Sequence, residues 1–126
     1  MGASTTSAYS PREERANVLT HGIGAGVALV AGLTMLTLSI GRGGDPWQWA
    51  SAIVFSISML MLYLASTAYH RAVDPVRRAR LKIVDHCAIY VLIAGTYTPF
   101  TLTVLRDTVG WTLFIAIWSL AAIGII

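Results

Sequence analysis

The chain has 126 residues, 56% of them hydrophobic and 12% charged, with a net charge of +3. A soluble domain carries about 25% charged residues, so this sequence lacks the polar surface of a water-soluble globule and reads as a polytopic membrane protein. Its nine Lys and Arg gather in short loops, which the positive-inside rule explains without nucleic acid as a partner, and one cysteine, Cys87, excludes an intrachain disulfide.

Residues 1–10 are small and Ser/Thr-rich, and their composition predicts a disordered tail. The pattern from there to the end predicts one transmembrane helical domain, residues 11–126, all-α, with about four spans. Ser10-Pro11-Arg12-Glu13 has the form of a helix start, with a cap at Ser10, proline at the first helical position and Glu13 completing a capping box. The first span is expected over 18–40. Gly22 and Gly26 have the small-xxx-small spacing that lets two helices approach closely.

A Gly/Asp/Pro turn around residues 41–46 leads to Trp47 and Trp49 at interface depth, and the second span covers 49–70. Its hydroxyls, Ser51, Ser56, Ser58, Ser66 and Thr67, are expected to bond back to their own helix or to a neighbour. The densest basic stretch follows at 71–82, around an Asp74-Pro75 turn. The third span is expected over 83–105, with a kink near Gly95 and Pro99, because Pro99 cannot donate to the carbonyl four residues back. Arg106 and Asp107 read as a short loop. The last apolar run, 111–126, has no polar stop after it and reads as cut off inside a helix.

Charge sets the expected orientation. With the N-terminus inside, the inner segments hold Arg12, Arg15, Arg71, Arg77, Arg78, Arg80 and Lys82, whereas the outer loops hold only Arg42 and Arg106. Several polar groups then share one membrane side. Asn17 and His21 lie one turn apart on the first helix, with Glu14 three residues further back. Ser66 and His70 are spaced i, i+4 on the second, and Asp85 and His86 are expected to open the third.

These residue types suit zinc, with His70 as a metal ligand, Ser66 one turn deeper to hold a water or substrate oxygen, and Asp85 either binding the metal through a water or acting as general base on it. The same residues admit a plainer account. A span-end histidine is commonly an interhelical hydrogen bonder, an aspartate at a helix N-terminus is favoured by the macrodipole, and Glu13 and Glu14 are explained by capping. His86 lies about 100° around the helix from Asp85, so the two are not expected to face one site. Spacing alone leaves both accounts open.

Residues 13–24 (EERANVLTHGIG), 66–70 (STAYH) and 85–100 (DHCAIYVLIAGTYTPF) closely resemble the bacterial hemolysin III proteins, which group with the progestin and adipoQ receptors and the alkaline ceramidases. The resemblance covers the chain from residue 12 onward. It implies the first part of a seven-helix protein of the cell membrane, with a cytoplasmic N-terminus. It also implies a zinc site made by one histidine at the end of the second helix and two on the seventh. By motif these carry over as His70 for the ligand, with Ser66 and Asp85 beside it. The two later histidines have no counterpart here, since only His21, His70 and His86 occur. The wider group implies a zinc-dependent hydrolase of lipid amides or esters, with membrane lipids as partners and source of substrate. A membrane-lytic protein and a lipid-sensing, receptor-like protein without catalysis are the alternatives.

Overall fold

A computed structural model describes residues 9–126; most of the expected tail, residues 1–8, lies outside the described residues. Four α-helices follow in order: α1 (Pro11–Gly41), α2 (Pro46–Arg71), α3 (Pro75–Pro99) and α4 (Trp111–Ile125). Four helical segments, Pro11–Gly41, Pro46–Arg71, Pro75–Val104 and Arg106–Ile125, are long and apolar enough to cross a membrane. No strand occurs among the described residues.

The first three helices begin as their sequences dictate, each with proline in its first turn and a capping side chain just before it. Ser10 and Glu13 form the reciprocal capping box, with the Ser10 N–H donating to Glu13 Oε2 at 2.6 Å. Asp45 Oδ1 accepts from the Trp47 and Gln48 N–H groups at 2.9 and 3.0 Å. Asp74 Oδ2 accepts from the Arg77 N–H at 2.7 Å. That third cap starts α3 at Pro75, ahead of the expected span start at residue 83, so the basic stretch is largely helical.

Each helix packs on the next in sequence: α1 on α2, α2 on α3, α3 on α4. The close approach of α1 to α2 runs along Gly24, Ala28 and Gly32. A Cβ on Gly24 would lie 2.6 Å from the Tyr63 ring, and one on Gly32 2.7 Å from Ser56 Cβ. Gly22 and Gly26, expected at this contact, have nothing within 4 Å of such a Cβ. A shift of two residues turns a helical position about 200°, so that pair lies on the opposite side of α1. Between α2 and α3, Gly95 packs directly on Ser58.

Most span hydroxyls bond back to their own helix, as expected. Ser51, Ser56, Ser58 and Thr67 donate to the carbonyls of Trp47, Ala52, Phe55 and Tyr63. Ser66 departs from this habit and turns toward another helix.

Directly after Pro99 the helix changes type. Two five-residue π-helical turns, Phe100–Val104 and Arg106–Gly110, join α3 to α4. The Leu105 N–H donates to the Phe100 carbonyl at 2.9 Å and the Gly110 N–H to the Leu105 carbonyl at 2.8 Å. Each of these bonds spans five residues, one more than in an α-helix, and so widens the turn. Arg106 therefore sits in a wide turn instead of a loop. It reaches Asp45 at 3.5 Å and lies 5.6 Å above the Trp47 ring, which meets Trp111 edge-on. These contacts close the end of the bundle opposite the α2–α3 connection.

Candidate functional site

Glu14 and His21 are seven residues apart on α1, and Arg78 and Asp85 are seven apart on α3. Seven residues make nearly two full turns, so each pair shares a face, with its members about 10 Å apart along the axis. On α2, which runs the opposite way, Ser66 lies one turn deeper than His70. The three helices thus present two tiers: Glu14, His70 and Arg78 at the rim, and His21 and Ser66 beneath, with Asp85 set back along α3 by the same two turns.

The rim is tied together by one carboxylate. Glu14 Oε2 lies 2.6 Å from His70 Nδ1, and Arg78 Nη2 donates to Glu14 Oε1. His70 and Glu14 side chains are 7% and 16% exposed, so both are largely withdrawn from solvent. Arg78 Nη1 also donates to the carbonyls of Tyr69 at 3.4 Å and Ala72 at 3.3 Å at the end of α2, where the Tyr69 carbonyl also accepts from the Ala72 N–H. Its guanidinium stacks 4.6 Å from the Tyr69 ring centre. Glu14 thereby joins α1, α2 and α3 at a single point.

In the deeper tier, His21 Nδ1 and Ser66 Oγ are 2.5 Å apart, and Ser66 is buried. The His21 ring stands edge-on to His70 at 5.9 Å and to Tyr63 at 6.0 Å. Tyr9 and Tyr69 complete the wall around His70, with ring centres 5.7 and 4.8 Å away. Beside His70 a groove of about 570 Å³ opens along α1, walled by Val18, Leu19 and Ile23 together with Arg15 and Arg71.

The residues singled out in the sequence therefore divide. Ser66 and His70 lie in one cluster, with His21 between them. Asp85 is half-buried and takes part in neither hydrogen-bonded pair. It stands ten residues past Pro75, beyond the reach of the helix N-terminus, so the macrodipole does not account for a carboxylate there. His86 points away; it is exposed and donates from Nδ1 to the Lys82 carbonyl at 2.7 Å. Glu14, expected on the same membrane side as His21 but also explained by capping, proves to be a member of the cluster, as does Arg78, which the sequence marks only as loop charge. The signal available for both was the seven-residue spacing to His21 and Asp85.

His70 fits one ligand position of a metal site, because Glu14 occupies Nδ1 and leaves Nε2 as the second ring nitrogen. The remaining donors do not complete such a site: among the described residues no three His, Cys, Asp or Glu side chains gather closely enough to hold a metal ion.

The model of the family described as haemolysin-III related matches residues 9–126. The chain belongs to the haemolysin III family. A haemolysin III homologue from Bacillus subtilis, the hemolysin-3 homolog, is 46% identical over 118 residues, covering 94% of this chain and 55% of that relative. Hemolysin-3 of Bacillus cereus is 46% identical over 115 residues, covering 91% of this chain and 52% of that relative. The human monocyte to macrophage differentiation factor is 28% identical over 131 aligned positions, covering 94% of this chain and 51% of its own. The chain thus spans about half the length of the curated haemolysin III relatives it matches. No solved structure matches it.

Proposed function

We propose that this chain is part of a haemolysin III-type membrane protein that hydrolyses lipid amides or esters with zinc, His70 being one metal ligand. The observation that carries the reading is the withdrawn His70 ring, held at Nδ1 by Glu14 and set one turn above the buried Ser66–His21 pair. An imidazole so placed in a membrane protein is costly unless it pairs or binds something, and pairing through Nδ1 leaves its other ring nitrogen for a site. When bound, zinc supplies Lewis-acid polarisation of a carbonyl and activation of water near neutral pH.

The chain's own residues have separable tasks. Ser66 offers a hydroxyl at the floor of the cluster, where His21 fixes its direction and it can hold a substrate oxygen. Asp85, half-buried and outside both pairs, is the carboxylate free to accept a proton as general base. The apolar wall of Val18, Leu19 and Ile23 suits an acyl chain reaching the cluster from the bilayer, so membrane lipids are the proposed source of substrate. The basic end, with Arg12, Arg15, Arg71, Arg77, Arg80 and Lys82, is proposed to face the cytoplasm of a cell membrane.

The test uses the gene product purified from membranes and reconstituted in vesicles with fluorogenic lipid amides and esters. Turnover that stops on chelation and in His70→Ala supports the reading. Hydrolysis that survives both, or vesicle lysis that survives both with no hydrolysis, contradicts it.

A further inference from the structure

We infer that the groove beside His70 binds an anionic phospholipid, with Arg15 and Arg71 on its phosphate and an acyl chain laid along α1 below them. This deepens the reading above by naming the headgroup of the lipid that reaches the cluster; the binding itself requires neither zinc nor turnover.

α1 carries Arg15, Leu19 and Ile23 at successive four-residue steps, so one face of the helix passes from a cation to apolar side chains within about 12 Å. Val18 and Gly22 lie beside this stripe and complete the groove wall on α1. Leu19 and Ile23 are 64% and 60% exposed, and a Cβ on Gly22 would meet nothing within 4 Å. Among the described residues, then, no helix covers this side of α1.

Arg71, at the end of α2, borders the same groove. Among the described residues neither Arg15 nor Arg71 makes an ion pair or a side-chain hydrogen bond. Glu14, the acid in the lining, is already held by His70 and Arg78, so it does not neutralise them. The groove therefore has a cationic mouth above an apolar wall.

Charge and shape point to one class of occupant. Guanidinium groups take phosphate oxygens bidentately, and basic pockets between membrane helices hold anionic headgroups. The apolar strip continues from the same mouth into the span, where a chain can follow it. A second copy of this chain fits poorly. Two copies inserted in one orientation hold Arg15 at one depth, so pairing this face with itself sets like charges together.

The test is native mass spectrometry of the intact gene product titrated with phosphatidylglycerol or phosphatidylcholine, with chelator present. The first phosphatidylglycerol should bind more tightly than phosphatidylcholine. Arg15→Gln and Arg71→Gln should each reduce that preference about five-fold; both side chains are exposed and unbonded, so the variants should fold. Arg80→Gln removes an equal charge outside the groove and should leave the preference nearly unchanged. Gly22→Leu should weaken phosphatidylglycerol binding by filling the groove, with thermal unfolding unaltered. No preference in wild type overturns the inference, as does an equal loss in Arg80→Gln, which would mark general surface attraction. Full binding in folded Gly22→Leu, or disulfide-linked dimers through Ile23→Cys in a Cys87→Ser background, overturns it too. A preference found without any hydrolysis leaves this inference standing and counts only against the hydrolase reading.

Discussion

Arg78→Met removes the side chain that ties α3 to Glu14 on α1 and to the carbonyls at the end of α2. The variant keeps the aliphatic bulk against Tyr69 but deletes the ion pair to Glu14 and the donors to the Tyr69 and Ala72 carbonyls. An exposed pair would cost ~0–1 kcal/mol, and a fully buried one that loses a partner ~3–5 kcal/mol. Arg78 and Glu14 are 21% and 16% exposed, which places the loss between these limits, at about 2 kcal/mol. Part of it comes from taking one charged partner from the Glu14 carboxylate, which keeps His70, so a double-mutant cycle with Glu14→Gln should recover part of it. Cys87, half-buried on α3 and the sole thiol, reports opening of the bundle to a maleimide dye during thermal or detergent unfolding. If the two losses simply add, the carboxylate does not couple the helices and the rim described here is wrong.

Gly24→Leu should destabilise by about 1–3 kcal/mol through overlap with Tyr63, while Gly22→Ala should leave stability unchanged or raise it by up to ~1 kcal/mol; thermal unfolding separates them, and the reverse order would restore Gly22 to the helix contact. Ser66→Ala strands His21 Nδ1 and should cost about 1–3 kcal/mol, whereas Thr96→Ala, an exposed hydroxyl bonded to its own helix, should stay within ~0.5 kcal/mol. In a Cys87→Ser background, Ala79→Cys should react with a membrane-impermeant thiol reagent only from the cytoplasmic side and Thr108→Cys only from the opposite side. Exchange of those two labelling patterns would invert the proposed topology.

Much of the bundle was legible because its signals are local. Ser10, Asp45 and Asp74 each stand before a proline, and capping chemistry acts within a few residues of the backbone it satisfies. Hydropathy likewise marks four runs long enough to span a bilayer. The errors lay where a partner sits on another helix. Gly22 and Gly24 have the same composition and similar spacing to other small residues, and only the rotation of α1 against α2 selects between them. The π-turns lie just beyond Pro99, and residues 100–110 carry no local mark that separates a widened turn from a loop.

The site followed the same division. Ser66 and His70 were legible from i, i+4 spacing on one helix. Glu14 was legible as a neighbour of His21, but its role was hidden because a first-turn acid already has a local explanation, which its neighbour Glu13 fulfils. Arg78 was hidden inside a basic stretch whose bulk is explained by orientation. Seven-residue spacing pairs Glu14 with His21 and Arg78 with Asp85, but that Glu14 and Arg78 meet at His70 follows only when α1 and α3 are set against the end of α2.

The metal content of the gene product purified from membranes without chelators tests the central claim most directly. A stoichiometric zinc with histidine nitrogen ligation by X-ray absorption, lost in His70→Ala while the protein stays folded, is the expected result. Zinc retained at full stoichiometry in folded His70→Ala would show that the withdrawn imidazole between Glu14 and His21 is not a ligand.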